Sequence, residues 1–233
     1  MDVKVFKPGR RALLVHCSWA LGLTAALAPT PIRAQGTGSP AAAPAADRRP
    51  VLLVVGDSLS AEYGLRRGSG WVSLLEQRLA RERIAMRVVN ASVSGDTTSG
   101  GRSRLPALLR QHRPALVVLE LGGNDALRGL PLNMTRDNLA FMTKAAQGAG
   151  ARVLIAGMQM PPNYGRQYAQ EFSELFASVA RSEKAALMPF FLAGVADVPK
   201  AESLFQADRI HPNEAAQPII LANLWPHLLP LLR

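Results

Sequence analysis

From residue 51 onward the chain alternates short, continuously apolar runs with longer amphipathic ones, and that alternation restricts the fold more than any other feature. Residues 51–55, 86–90, 115–121, 152–157 and 186–190 read as strands; apolar runs without polar alternation suit strands covered on both faces. Between them, 71–83, 105–112, 135–148 and 167–184 carry apolar residues at helical spacing, and 213–231 closes the chain as a helix. In the first of these helices Val72, Leu75, Leu79 and Ala80 are expected on one face. Strands and helices in strict alternation predict an α/β domain, with a parallel sheet of about five strands and helices on both sides. In such folds ligands bind beyond the carboxyl ends of the strands, so the loops that follow strands are where chemistry is expected.

The first fifty residues do not fit the pattern. Lys4, Lys7, Arg10 and Arg11 precede an apolar run over 12–28 and then small residues, the layout of an export signal, here bounded at 1–34. The apolar run is shorter than the ~20 residues a spanning helix needs. Residues 35–50, rich in Ala, Pro and Gly, read as a disordered tether, leaving 51–233 as the folded domain. The lone cysteine, Cys17, falls inside the signal, so a processed chain would have no thiol for disulfides, catalysis or metal binding. The formal charge of +10 comes from 27 basic and 17 acidic residues. Removing the five basic and one acidic residues of 1–34 leaves a net +6. The arginines are scattered among acids, and no basic stretch is interleaved with stacking aromatics, which argues against nucleic-acid binding and leaves at most peripheral membrane contact. A periplasmic or secreted location is expected, and the modest apolar surface expected of the domain makes a monomer the default.

Four short segments carry candidate chemistry. Gly56-Asp57-Ser58-Leu59-Ser60 follows the first strand, Ser94-Gly95-Asp96-Thr97 the second and Gly122-Gly123-Asn124-Asp125 the third, while Asp208-Arg209-Ile210-His211 precedes the closing helix. Gly56 is expected to turn the chain off the strand and expose the Ser58 hydroxyl beside a helix start, as a nucleophile needs; simple helix capping by Ser58 or Ser60 is the structural alternative. The second glycine of a Gly-x-Ser-x-Gly elbow is missing, which argues against an α/β-hydrolase. Asp208 and His211, three apart, can meet across one turn, the acid holding the imidazole tautomer that accepts a proton; a helix-entry motif is the alternative. Gly95 can offer an unobstructed backbone N–H and Asn124 an amide to a developing oxyanion, although both residues also suit turns.

Taken in this order, the four segments resemble the blocks of the SGNH, or GDSL, hydrolases. The stretches Asn90-Ala-Ser-Val-Ser-Gly-Asp-Thr, Leu119-Glu-Leu-Gly-Gly-Asn-Asp-Ala-Leu-Arg-Gly and Pro162-Asn-Tyr-Gly-Arg are similar to the bacterial branch called thioesterase I, arylesterase or lysophospholipase. The resemblance implies a three-layer α/β/α sandwich of flavodoxin-like type. It also implies Ser58 as nucleophile, His211 as base, Asp208 as its partner, and an oxyanion hole from the Ser58 and Gly95 N–H groups with the Asn124 amide. The implied activity is hydrolysis of carboxylic ester or thioester bonds through an acyl-enzyme, without metal or cofactor, and the resemblance likewise makes a monomer the default. For the acyl pocket the loops 127–132 and 158–168 are nominated, with Leu127, Leu130, Met158, Met160 and Tyr164 as lining residues. Two readings compete: a metal-dependent phosphoesterase with Asp57, Asp96, Asp125 and His211 as ligands, and a non-catalytic envelope or glycan-binding module.

Overall fold

The computed structural model describes residues 47–160 and 164–233. Residues 1–46, which hold the expected export signal and most of the expected tether, and 161–163 within the nominated pocket loop lie outside the described residues. The expected strands form a five-stranded parallel sheet: β1 (Val51–Gly56), β2 (Arg87–Asn90), β3 (Leu116–Glu120), β4 (Arg152–Ala156) and β5 (Ala186–Met188). Every residue of β1 and β3 is buried, as their unbroken apolar runs require, whereas the edge strand β2 is only half-buried. Pairing starts just before β1, where the Pro50 carbonyl accepts the Arg87 N–H at 2.9 Å.

The strand order is β2-β1-β3-β4-β5. The chain therefore moves one way from β1 to β2, then crosses back over β1 to β3 and continues in the other direction. The reversal puts the topological switch point between β1 and β3, where a crevice opens at the carboxyl ends of doubly wound sheets. Helices α1 (Trp71–Arg81) and α6 (Gln217–Leu228) pack together, while α2 (Thr98–His112) packs on α4 (Leu132–Gly148), which packs on α5 (Arg166–Ser182). The result is the α/β/α sandwich, with helices on the two faces of a parallel sheet. The core is knit by aromatic edges: Trp71 meets Phe191 at 5.6 Å between ring centroids and 73°, and Phe172 meets Phe176 at 5.2 Å and 87°.

Three elements differ from expectation. Ala80 is exposed, because at about 100° per residue it lies well outside the stripe formed by Trp71, Val72, Leu75 and Leu79. Helix α2 starts at Thr98, not near 105. A start at Leu105 would seat Pro106 in the first turn, where its missing N–H does no harm; instead Pro106 lies inside a helix launched by the Thr97 side chain, which accepts the Gly100 N–H. Finally, the segment after β3 contains a five-residue helix, α3 (Gly123–Leu127), too short to show any periodicity.

Candidate active site

The loops after β1, β2 and β3 and the segment before α6 meet at one end of the sheet, and the nominated residues meet with them. The Ser58 Oγ lies 2.9 Å from His211 Nε2, and His211 Nδ1 lies 2.6 Å from Asp208 Oδ2. Asp208 is an exposed carboxylate whose other oxygen accepts the backbone N–H groups of Ile210 and His211, each at 3.0 Å. Closing so tight a turn forces Arg209 into the left-handed region at φ 57°. The two N–H groups and then the imidazole hold the Asp208 carboxyl down at about 2. The Tyr63 ring lies over His211, with 4.5 Å between centroids and a 41° tilt.

Around Ser58 the structure departs from the simple elbow. Gly56 has no positive φ; a side chain there would meet Glu120 Oε2 and Ser60 Oγ at 2.7 Å, so close approach rather than turn freedom requires glycine. No regular helix begins at Ser58. Consecutive turns run from Asp57 to the start of α1 at Trp71, and Asp57, not Ser58 or Ser60, is the residue that caps, its Oδ1 accepting the Leu59 N–H at 3.0 Å. The Asp57 Oδ2 accepts the Asn124 side-chain amide at 3.0 Å. Asn124 reaches it from α3, and β1 and β3 are paired neighbours, so the two residues flank the switch point.

Gly95 has φ 77°, the left-handed backbone that favours glycine, and nothing crowds its α-carbon. Its carbonyl accepts Arg128 Nη2 at 2.8 Å. The N–H groups of Ser58 and Gly95 have no acceptor among the described residues, while those of Leu59, Ser60 and Ala61 are all bonded. Arg104 fastens the whole rim: it donates to Asp96 Oδ2 at 2.7 Å, to the Gly56 carbonyl at 3.2 Å and to the Ala91 carbonyl.

Two carboxyls lie beneath this rim. Asp57 is almost fully buried, and burial pushes its carboxyl up to about 6 against the bonds from Leu59 and Asn124. Glu120, at the end of β3, is also fully buried; burial and then the Asp57 charge raise it well above the usual carboxylate range. Its Oε2 accepts the Ser60 hydroxyl at 2.6 Å and the Asp57 N–H at 3.4 Å, and Trp71 Nε1 donates to the same Ser60 Oγ at 3.2 Å.

The site opens into a cavity of 710 Å³ lined by Ser58, Asn124, Asp208 and His211 together with Leu127, Met158, Met160 and Tyr164. Leu130 is not among the lining residues. Its N–H bonds back to the Asp125 carbonyl at 2.9 Å, which closes the turn after α3. Phe190, Leu192, Phe205 and Ile210 complete the apolar wall and were not singled out from the sequence. The apolar run 186–190 reads as a strand through Phe190, but β5 stops at Met188, and Phe190 and Leu192 sit in the loop after it, where the sheet rule looks for ligands. A second concavity of 540 Å³, lined by Arg136, Glu171, Glu174 and Arg181 from α4 and α5, holds none of the nominated residues.

The four residues of the metal alternative do not converge. Asp57 is engaged with Leu59 and Asn124, Asp96 with Arg104, and His211 with Ser58 and Asp208. Asp125, fully buried, accepts the Thr98 N–H at 2.9 Å, the Thr98 hydroxyl, and the Thr135 hydroxyl at 3.2 Å. Among the described residues no three His, Cys, Asp or Glu side chains are grouped to hold an ion.

Comparison with known proteins fits this geometry. Residues 54–218 match the model of the GDSL-like lipase/acylhydrolase family. The chain belongs to that family. It is an enzyme, a hydrolase of ester bonds. It is 56% identical to Esterase TesA of Pseudomonas aeruginosa over 181 residues, covering 78% of this chain and 89% of that relative. It is 41% identical to thioesterase 1/protease 1/lysophospholipase L1 of Escherichia coli K12 over 180 residues, 77% of this chain and 84% of that one. Among solved structures, the psychrotrophic esterase EstA from Pseudoalteromonas sp., inhibited by monoethylphosphonate, superimposes with a TM-score of 0.73 at 38% identity, over 78% of this chain and 98% of that one.

Proposed function

We propose that the chain is an exported serine esterase that hydrolyses carboxylic ester or thioester bonds through Ser58, His211 and Asp208. The observation that carries this is the unbroken relay of Ser58 Oγ to His211 Nε2 at 2.9 Å and His211 Nδ1 to Asp208 Oδ2 at 2.6 Å. An ionised Asp208 accepts from Nδ1–H, which leaves Nε2 with a lone pair toward the serine. His211 takes the Ser58 proton as Oγ attacks the acyl carbon, then returns it to the departing alkoxide or thiolate. The acyl-serine is opened by water, which gives its proton to the same nitrogen, and the acid leaves as Ser58 recovers its proton. In both half-reactions the carbonyl oxygen gains negative charge. The unoccupied N–H groups of Ser58 and Gly95 and the second N–H of the Asn124 amide are the donors for it.

For the substrate, the apolar wall of Met158, Met160, Phe190 and Leu192 supports an acyl chain, in line with the lipase/acylhydrolase family and with relatives named esterase, thioesterase and lysophospholipase. Export is supported by the basic start and apolar run of 1–34. N-terminal sequencing of the chain recovered from a bacterial host's envelope should begin near Gln35; an intact Met1 on cytoplasmic protein overturns export.

The decisive test of the chemistry is intact-mass and peptide mass spectrometry after treatment with a fluorophosphonate, with hydrolysis of short and long p-nitrophenyl esters followed in parallel. One adduct, on Ser58, with loss of ester turnover is the expected result. A folded protein that turns over esters while Ser58 stays unlabelled overturns the assignment.

A further inference from the structure

Asn124 can serve a developing oxyanion only if its amide nitrogen, not its oxygen, faces the acyl group. Nothing in α3 decides this, since an amide rotated by 180° fills the same space. The deciding contact is Asp57 Oδ2, 3.0 Å from Asn124 Nδ2. An ionised carboxylate only accepts, so it fixes the nitrogen side of Asn124 toward itself, and the remaining N–H is left to point elsewhere. Asp57 needs both of its oxygens for this, because Oδ1 is already taken by the Leu59 N–H at 3.0 Å. A neutral amide at position 57 would have one oxygen where two are used and would turn an NH₂ toward a donor.

A second carboxyl next to Asp57 ought to work against its charge. Glu120 is fully buried, and the groups within hydrogen-bond reach of it are the Ser60 hydroxyl and the Asp57 N–H, with no basic side chain paired to it among the described residues. Two neighbouring buried carboxyls with no basic side chain paired to either among the described residues cannot both be ionised at low cost, so the proton is held by one of them. Asp57 has the two stronger donors and the rim; Glu120 has the deeper place.

We propose that Asp57 is a positioning residue whose carboxylate aims the Asn124 amide at the oxyanion, and that Glu120 is the neutral acid beneath it that allows Asp57 to stay charged. This rests on the Ser58–His211–Asp208 assignment and adds the control of Asn124 to it. Both carboxyls act through the Asn124 amide and the turn that carries Ser58, not on the reacting atoms. Glu120 supports the turn from below through Ser60 and the Asp57 N–H, and the absence of a side chain at Gly56 leaves the room that contact needs.

The test is a double-mutant cycle on ester turnover by the full-length protein, with Asp57→Asn, Asn124→Ala and the pair, and with Ser58→Ala as the control for the underlying assignment. Asp57→Asn should lower kcat by about 10- to 100-fold with KM changed less than about threefold, as befits a mis-aimed transition-state donor rather than a lost binding contact. In the Asn124→Ala background the same substitution should cost less than about threefold, because no amide is left to aim. Glu120→Gln, which keeps a neutral hydrogen-bonding group, should cost several-fold less than Asp57→Asn. Should Asp57→Asn fail to give folded protein by near-UV circular dichroism, Asp57→Ser, with room for a water on the Leu59 N–H, replaces it in the cycle. Losses that simply multiply in the double mutant, or a KM effect with kcat intact, overturn the role of Asp57. Glu120→Gln as damaging as Asp57→Asn overturns the neutral role of Glu120. Full activity in Ser58→Ala would instead remove the catalytic assignment itself.

Discussion

At the scale of single residues, the candidate site was legible wherever its parts lie close together in the chain. Asp208 and His211 are three apart, and one turn brings them into contact; Ser58, Gly95 and Asn124 each follow a strand that the apolar runs make plain. What could not be read was any relation across the sheet. The contacts of Asp57 with Asn124 and of Ser60 with Glu120 span more than fifty residues and exist because β1 and β3 pair with Gly56 opposite Glu120. Two predictions belong here. Asn124→Ala should reduce turnover by about 10²- to 10³-fold, measured as kcat on p-nitrophenyl esters, since the proposed oxyanion donor is lost while the Ser58–His211 pair is untouched. Asp208 acts on stability as well as on His211. Its carboxyl is held at about 2 in the folded chain against ~3.9 when unfolded, so its contribution is complete above pH 4 and disappears as pH falls through about 2. Acid unfolding followed by circular dichroism should therefore show Asp208→Asn less stable than the parent above pH 4 and converging with it toward pH 2.

At the scale of elements, the strands were legible because burial on both faces leaves no polar positions to confuse the pattern, and the central helices because their apolar stripes repeat. The start of α2 was not, because Thr98-Ser-Gly-Gly-Arg-Ser has poor intrinsic helicity and is made helical by tertiary contacts. Chief among these is Asp125, which takes both the N–H and the hydroxyl of Thr98 and also the hydroxyl of Thr135, tying α2, α3 and α4 at one buried carboxylate. Asn138 and Arg102 extend the tie: Asn138 Nδ2 donates to Thr98 Oγ1 at 3.1 Å, and Arg102 donates to Asn138 at 3.1 Å. Asp125→Ala strands at least two buried donors, each worth about 1–3 kcal/mol, so urea unfolding should show a loss of ~3 kcal/mol or more. Because α2 carries Arg104, which clamps Gly56 and the Gly95 loop, the same variant should also lose turnover in what remains folded.

At the scale of the whole molecule, fold class followed from alternation alone, whereas the strand order that places Ser58 and Asn124 on either side of a switch point is a tertiary fact. That placement has a thermodynamic consequence. The chain buries two carboxyls, Asp57 and Glu120, under the rim that carries Ser58, and burial raises both. Burial holds Asp57 up at about 6 against the bonds from Leu59 and Asn124 and the influence of His211, with Asp96 adding to the rise. An acid whose folded value lies above its unfolded value holds its proton more tightly in the folded state. Between about pH 4 and pH 6 the unfolded chain has released a proton that the folded chain keeps, so stability falls as pH rises through this window and Asp57 adds no further slope above it. Glu120, raised by burial and then by the Asp57 charge, adds to the fall. Asp57→Asn cannot titrate and should lack this slope, gaining on the parent by on the order of 2 kcal/mol between pH 4.5 and pH 7.5 in urea unfolding, even as it turns over ester more slowly. Glu120→Gln should gain over the same range while losing less activity. Unfolding curves for parent and variants that stay parallel across that range would show that neither carboxyl is held protonated by the fold, and Glu120 would then lose its role as the neutral acid beneath Asp57.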